Sequence, residues 1–447
     1  MNENEIVKLI ENNQLTRPVK LKAFILDNKT NYSVQELSRV IELANTKRES
    51  YSAYYTNDFI IERIIKELPE FHDKTEITIL EPSVGAGNFL PFLFEKYSHI
   101  HKVNLWLMDI DDEILSLLNI LYEDHVPDNF HIQLAHQDFL LEHGKRVDLI
   151  VGNPPFTKLT QKQLKSYAPS DIKCQNLAGL FLYKAIQQAD YVSLVLPKNV
   201  LNTPDYGPLR HKIKQLNIQK IMDFGELGFK GVLVETINLI IKTESSTAQQ
   251  YTKITSLPRK ITLNQKSDYI FDEKLPYWII YRNDFFDKIF YKLTFDVFDV
   301  FRDRQITNSN TQSEQTEQSI RVIKSRNIDD TGENIVNIPN YDMFIQADTL
   351  AQLSVKKYLN RDDVYLTPNM TYNPRVMRKQ KGYVVNGSVA ILIPKTHFLL
   401  TTKQMIYFAS DEFRQFYRIA RNYQTRSLNI DRNSAYWFGI NNNNMKQ

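Results

Sequence analysis

The chain has 447 residues, 42% of them hydrophobic, with 55 Lys and Arg against 52 Asp and Glu and a formal net charge of +3. This length allows two domains, each able to bury its own core. No apolar run approaches the ~20 residues needed to span a bilayer, the N-terminus is polar with no signal-peptide core, and Cys174 as the only cysteine excludes an internal disulfide and a Cys-based zinc site.

Residues 1–50 read as polar-faced helices with breaks at Pro18 and at 28–31, forming a helical cap. Residues 51–242 alternate strand and helix patterns, which implies a mostly parallel sheet covered by helices. The first strand, near 78–81, runs into Glu81-Pro82-Ser83-Val84-Gly85-Ala86-Gly87-Asn88, a Gly-rich turn before a helix. Such glycines let the backbone approach a ligand, and a helix start offers free N–H groups. A carboxylate at Glu81 would repel a pyrophosphate. It would attract the cationic amino-acid end of S-adenosylmethionine instead.

A second strand, 103–109, ends in Asp109, 22 residues beyond Gly87. That is close to the interval at which an acid meets ribose hydroxyls in nucleotide-binding βαβ units. Ile110 behind it would pack on adenine. A third strand, 130–135, leads to Asp138-Phe139, a carboxylate for the adenine amine beside an apolar ring. The fourth, 147–152, is a short apolar run ending in Asn153-Pro154-Pro155-Phe156. The prolines fix φ and carry no N–H. A planar amine would find acceptors in the Asn153 side-chain oxygen and the Pro154 carbonyl, with the Phe156 ring on its plane. Each acid alone reads equally as a helix cap or a solvated loop residue, and the Asn-Pro-Pro-Phe run alone as a turn with a core ring. Four strand ends in order, each with the fitting residue type, set the pattern apart.

Residues 243–250 are rich in Ser, Thr and Gln and read as a linker; 251–447 read as mixed short strands and helices with a polar loop at 307–319. From Lys356 to Arg432 there are 14 Lys and Arg against 5 Asp and Glu, a local charge of +9, so residues 1–355 carry −7. A basic block beside an acidic remainder suits a nucleic-acid surface, although a solvated basic face has the same composition. Within it Tyr372, Asn373, Arg375, Arg378, Arg426, Asn429 and Arg432 interleave the side-chain types that read base edges.

Together these motifs resemble the gamma-class amino-methylating DNA methyltransferases, the adenine-N6 kind found with type II restriction systems. The resemblance covers roughly 50–242. Tyr54-Tyr55-Thr56 is similar to the family's segment over the methionine end of the cofactor, with Asn57 where the family often has Pro. The segments at 176–182, 192–197 and 229–237 resemble later motifs, and Phe229 stands where the family supplies a second aromatic to the target base. The resemblance implies an α/β, Rossmann-like S-adenosylmethionine-dependent methyltransferase domain at 51–242 and a mixed α+β target-recognition domain at 251–447. Glu81, Pro82, Ser83, Gly85, Gly87, Asn88, Asp109, Ile110, Asp138 and Phe139, with Tyr55 and Thr56, would hold the cofactor. Asn153, Pro154, Pro155 and Phe156 would be catalytic, and Phe156 and Phe229 would sandwich a flipped adenine. Double-stranded DNA is the expected partner, with a restriction endonuclease encoded separately. A prokaryotic, cytoplasmic monomer is expected, and the reaction needs no metal.

Rivals with the same signature methylate cytosine N4 in DNA, guanine N2 in ribosomal RNA or a protein glutamine. A modification subunit that acts only with a partner is a further alternative. Cytosine-C5 chemistry needs a thiolate nucleophile, usually after Pro; Cys174 follows Lys173 and reads as an inert thiol.

Overall fold

The computed structural model describes residues 1–46, 56–142, 144–167, 172, 174–229, 233–244, 250–371, 373–425 and 429–441. The chain divides into two units, Met1–Asp272 and Glu273–Gln447.

The first unit opens with three helices, α1 (Glu3–Asn13), α2 (Pro18–Asn28) and α3 (Val34–Ala44). Asn2 and Ser33 start α1 and α3 with reciprocal capping boxes to Glu5 and Glu36, satisfying N–H groups that a helix start leaves open. Pro18 begins α2, where its missing N–H costs nothing. Helix α4 (Asp58–Glu67) buries Ile60, Ile61, Ile64 and Ile65, an i, i+1, i+4, i+5 stripe facing the core. Strands β1 (Glu76–Glu81), β2 (Lys102–Asp109), β3 (Phe130–His136), β4 (Val147–Gly152) and β5 (Ala189–Pro197) are parallel. Helices α5 (Leu90–Lys96), α6 (Asp112–Tyr122), α7 (Gln161–Tyr167) and α8 (Leu177–Gln188) lie in the crossovers. β6 (Asn217–Gly225) and β7 (Thr236–Lys242) form a hairpin in which β7 runs antiparallel between β5 and β6.

Among the described residues this sheet has nine strands in the order β3-β2-β1-β4-β5-β7-β6-β8-β9. The last two, β8 (Tyr251–Ser256) and β9 (Ile261–Lys266), correct the expected boundary at 251. β8 pairs in parallel with β6, so its backbone groups are satisfied by this sheet and the first unit extends to Asp272. The chain works outward from β1 to β3, then returns to β4 on the other side of β1. That reversal is a topological switch point, and ligands of open α/β sheets bind in the crevice at the carboxyl ends of such strands. One apolar core runs from Ile6, Ile25 and Ile41 of the N-terminal helices to Ile79, Leu105 and Leu149 of the sheet.

The second unit carries small sheets. Strands Phe298–Arg302, Tyr365–Pro368, Met377–Arg378 and Val389–Pro394 form one, and Ser319–Ile323, Met343–Gln346 and Tyr383–Val385 another. Helix Asp411–Ala420 buries Phe413, Phe416 and Tyr417 and leaves Arg418 outside. Mixed short strands and helices were expected here. No helix among the described residues is long and apolar enough to cross a membrane.

Candidate active site

The crevice between the carboxyl ends of β1 and β4 holds a cavity of ≈ 390 Å³, within the range of small-ligand sites. Thr56, Glu81, Pro82, Ser83, Gly85, Asn88, Asp109, Ile110, Asp138 and Phe139 line it, together with Asn153 and Pro155. Residues from five separate stretches of sequence therefore converge on one space. Gly87, Pro154 and Phe156 lie outside its lining, and Tyr55 lies outside the described residues.

Glu81 ends β1 and is only 2% exposed, and its Oε2 has no hydrogen-bond donor among the described residues. Burial, and then the nearby Asp109, push its carboxyl well above the usual carboxylate range. A buried acid of this kind fits a ligand that brings its own cation and donors. Gly152 makes the close approach of β4 possible: at φ +153°, an added Cβ would lie 3.3 Å from Glu81 Cγ. The Ser83 hydroxyl donates to the Asn153 carbonyl at 3.2 Å, tying the two strand ends together.

Asp109 ends β2. Its Oδ2 accepts from Gly85 N at 2.9 Å and its Oδ1 from Asp111 N at 3.0 Å. Burial pushes this carboxyl up, opposed by those backbone N–H groups. A carboxylate has about four acceptor sites, so capacity remains for ligand hydroxyls. Ile110 is 50% exposed at the cavity wall, an apolar side chain open to a flat ring. Gly87, at φ +79°, has no room for a side chain: its Cβ would meet Leu118 at 2.5 Å and Tyr122 at 2.9 Å. The Tyr122 hydroxyl donates to the Gly87 carbonyl at 2.8 Å.

At Asp138, Oδ1 accepts from Leu140 N at 2.9 Å, and Oδ2 from the Tyr167 hydroxyl at 2.8 Å. Tyr167 and Gln163 of α7 and Phe181 of α8 also line the cavity, and sequence reasoning missed all three. No motif marks Tyr167 or Gln163, and Phe181 lies in the 176–182 segment, whose resemblance names no role for it. Only the fold of the β4–α8 connection brings them to the β3 end. The Asn153-Pro154-Pro155-Phe156 turn is fastened on its exit side. Asn176 caps α8 through Ala178 N at 3.0 Å while its Nδ2 donates to the Phe156 carbonyl at 3.1 Å. Leu177 N donates to the Thr157 carbonyl at 2.9 Å.

Phe156 and Phe229 meet with ring centroids 5.6 Å apart and planes tilted by 57°. A base between two rings needs about 7 Å of parallel separation, twice a ~3.5 Å contact. Here the two rings touch each other and form a single aromatic corner, closer together than they would stand with a base between them. Thr56 bridges to Phe229, and Asn57 N donates to the Gly228 carbonyl at 3.1 Å, which anchors that corner. Cys174 is buried and its thiol is pushed up to about 12 by burial, so it supplies no thiolate nucleophile.

In the second unit the expected base-reading residues separate. Arg375 is 9% exposed, and its guanidinium donates to the carbonyls of Asn373 at 3.2 Å, Ser325 at 3.4 Å and Ile328 at 3.1 Å. It holds its own fold together, which overturns the expectation that it reads a base. Lys379 and Arg421 of the basic block are buried too; Lys379 donates to the Gln380 carbonyl at 2.8 Å. The +9 count therefore overstates the charge offered to solvent. Asn373, Arg378 and Arg432 are exposed. The Arg378 Nε donates to the Asp362 carbonyl at 2.6 Å. The side-chain oxygen of Asn429 accepts from Asn369 at 3.2 Å. Tyr372 and Arg426 lie outside the described residues.

Residues 91–229 match the family model described as Eco57I restriction-modification methylase. Among curated proteins, the chain is 23% identical over 239 residues to the modification methylase CviBIII of Paramecium bursaria Chlorella virus NC1A, covering 53% of this chain and 57% of that protein. It is 23% identical over 233 residues to the type II methyltransferase M.VspI of Vibrio sp. (strain 343), covering 50% and 56%. These matches span little more than half of each relative. Two solved structures share the fold across most of the chain: the type IIL restriction-modification enzyme MmeI in complex with DNA (TM-score 0.53, 11% identity, 98% of this chain and 67% of that one), and the type IIG restriction endonuclease BpuSI (TM-score 0.50, 14% identity, 92% and 61%).

Proposed function

We propose that the chain is a DNA methyltransferase of the restriction-modification class, which transfers a methyl group from S-adenosylmethionine to the N6 amine of an adenine turned out of duplex DNA. The observation that carries this reading is the convergence of Asn153 and the buried Glu81 on one cavity, across the β1/β4 switch point. The Eco57I-type match over 91–229 supports it.

Bound there, S-adenosylmethionine supplies an electrophilic methyl group on a sulfonium. Glu81 receives the ammonium of its methionine end. Ion pairing there would replace the hydration that the buried carboxyl lacks and favour its charged form. Asp109 accepts from the ribose hydroxyls, Ile110 packs against adenine, and Asp138 accepts from the adenine amine beside Phe139. On the substrate side, the Asn153 side-chain oxygen and the Pro154 carbonyl accept the two N6 hydrogens of the target base. That draws the nitrogen toward a tetrahedral lone pair and faces acceptors toward the positive charge that develops on it. The Phe156–Phe229 corner supplies the apolar contact to the base, with Phe156 on its face. Ser83 and Asn176 keep the acceptor loop in place, so little reorganisation is needed at the moment of transfer.

Arg378, Arg432 and the exposed part of the basic block meet the DNA. The protein acts as a monomer in the prokaryotic cytoplasm, and cleavage is left to a separately encoded endonuclease.

The test offers isotope-labelled S-adenosylmethionine and the purified chain to duplex DNA, ribosomes and bacterial protein in parallel. Label in DNA is expected. Label only in ribosomal RNA or protein would contradict the reading.

A further inference from the structure

The third N-terminal helix reaches the Gly-rich loop that lines the cavity. On α3, Ser38 and Glu42 stand four residues apart on the buried face, among Leu37, Val40 and Ile41. A serine and a glutamate on an apolar helix face are costly unless each finds a polar partner. Both find it in the Gly-rich loop. The Ser38 Oγ lies 3.0 Å from the Ala86 carbonyl and 2.5 Å from Asn88 Oδ1, sharing its one proton between them. The Asn88 Nδ2 donates to Glu42 Oε1. The other carboxyl oxygen of Glu42 accepts from Arg39 Nη1 at 2.7 Å, and Arg39 reaches Glu3 of α1 at 3.1 Å.

Both ends of the Asn88 amide are therefore taken up by α3, although Asn88 lines the cavity. With Gly85 tied to Asp109 and Gly87 to Tyr122, every residue from Gly85 to Asn88 has a hydrogen bond fixing its place. The bonds at Ala86 and Asn88 come from outside the Rossmann-like core.

We propose that Ser38 and Glu42 are positioning residues of the cofactor site: by clamping Asn88 they hold the 85–88 loop in the shape that admits S-adenosylmethionine. This rests on the cofactor reading given above. The N-terminal helices are on this view a working part of the site. Glu42 itself is only 1% exposed; burial pushes its carboxyl up to about 7 against the pull of Arg39 and Asn88, with Asp58 of α4 adding to the rise.

The test is calorimetric titration of the full chain with S-adenosylmethionine, paired with steady-state methylation and thermal melting. Ser38→Ala and Glu42→Leu should each raise Kd by about tenfold, the loss of one good hydrogen bond to a buried group. At saturating cofactor, kcat should stay within about twofold, because the clamp acts on binding and not on transfer. Glu42→Gln keeps an acceptor for Asn88 and should recover most of the affinity. Lys29→Ala loosens the same helices elsewhere, where Lys29 pairs with Glu123 and Asp124 at 3.1 Å. It should lower the melting temperature and leave Kd unchanged. An unchanged Kd in Ser38→Ala overturns the proposal, even if Glu42→Leu fails to fold. Wild-type protein that takes up no S-adenosylmethionine overturns the cofactor reading itself, and the clamp with it.

Discussion

Asn153 and Glu81 face the same cavity, yet they are assigned opposite tasks, and substitutions should separate them. Asn153→Ala removes the acceptor that the proposed function assigns to the target amine. Methyl transfer should fall by roughly 10²–10³-fold, while calorimetry should give a near-wild-type constant for S-adenosylmethionine. Glu81→Gln should do the reverse and abolish cofactor binding. Its effect on stability has a definite sign. The folded carboxyl is held above its unfolded value, so its contribution is full below the unfolded pKa and is lost as pH rises through the folded one. Asp109 is raised in the same direction. Ligand-free wild type should therefore melt at falling temperature as pH is raised from the unfolded carboxylate value toward the raised folded one. Glu81→Gln should show a shallower fall, and cofactor affinity in wild type should rise over the same interval as Glu81 ionises. A melting curve with the same pH slope in both proteins would count against the buried acid. Arg375→Ala belongs to a different class. Three carbonyls lose their donor, so stability should drop by about 2 kcal/mol or more. Site preference measured on a randomised DNA library should not change.

Among elements, the meeting of β1 and β4 is the most constrained. Gly152→Ala places a methyl against Glu81 Cγ in a backbone region that side chains seldom adopt. It should cost about 1–3 kcal/mol of stability and weaken cofactor binding, because β1 and β4 must separate to make room. Wild-type melting and affinity in that variant would mean the strand ends have slack. The strands themselves were legible because each is a short apolar run closed by a polar residue or a turn. Asn153, Asp109 and Glu81 sit at such ends, so their convergence followed from the alternation of strand and helix. The β8–β9 hairpin was not legible as part of this sheet. Its alternating pattern suits either unit, and only the pairing of β8 with β6 decides. Tyr167, Ser38 and Glu42 left no local trace either. Their partners are 29, 48 and 46 residues away in sequence, and nothing in a helical pattern names a distant acceptor. Arg375 shows the converse limit: an arginine that caps carbonyls and one that reads a guanine have the same neighbours in sequence.

For the whole molecule, an acidic first portion and a basic later block predict binding driven by phosphate neutralisation, with a strong dependence on salt. Burial of Arg375, Lys379 and Arg421 leaves a smaller exposed set. Arg378→Ala and Arg432→Ala should each weaken DNA binding for all sequences and reduce the slope of log K against log salt by about 1 if each meets one phosphate. Relaxed preference at one base position instead would assign that arginine to base reading. An unchanged slope and preference in both would take the DNA surface away from these residues. The chemistry itself is tested most directly by nucleoside mass spectrometry of duplex DNA incubated with the purified chain and S-adenosylmethionine. N6-methyldeoxyadenosine should accumulate with wild type and be reduced to trace levels with Asn153→Ala. N4-methyldeoxycytidine would contradict the assignment of adenine, and DNA without any methylated base would contradict the assignment of a DNA methyltransferase.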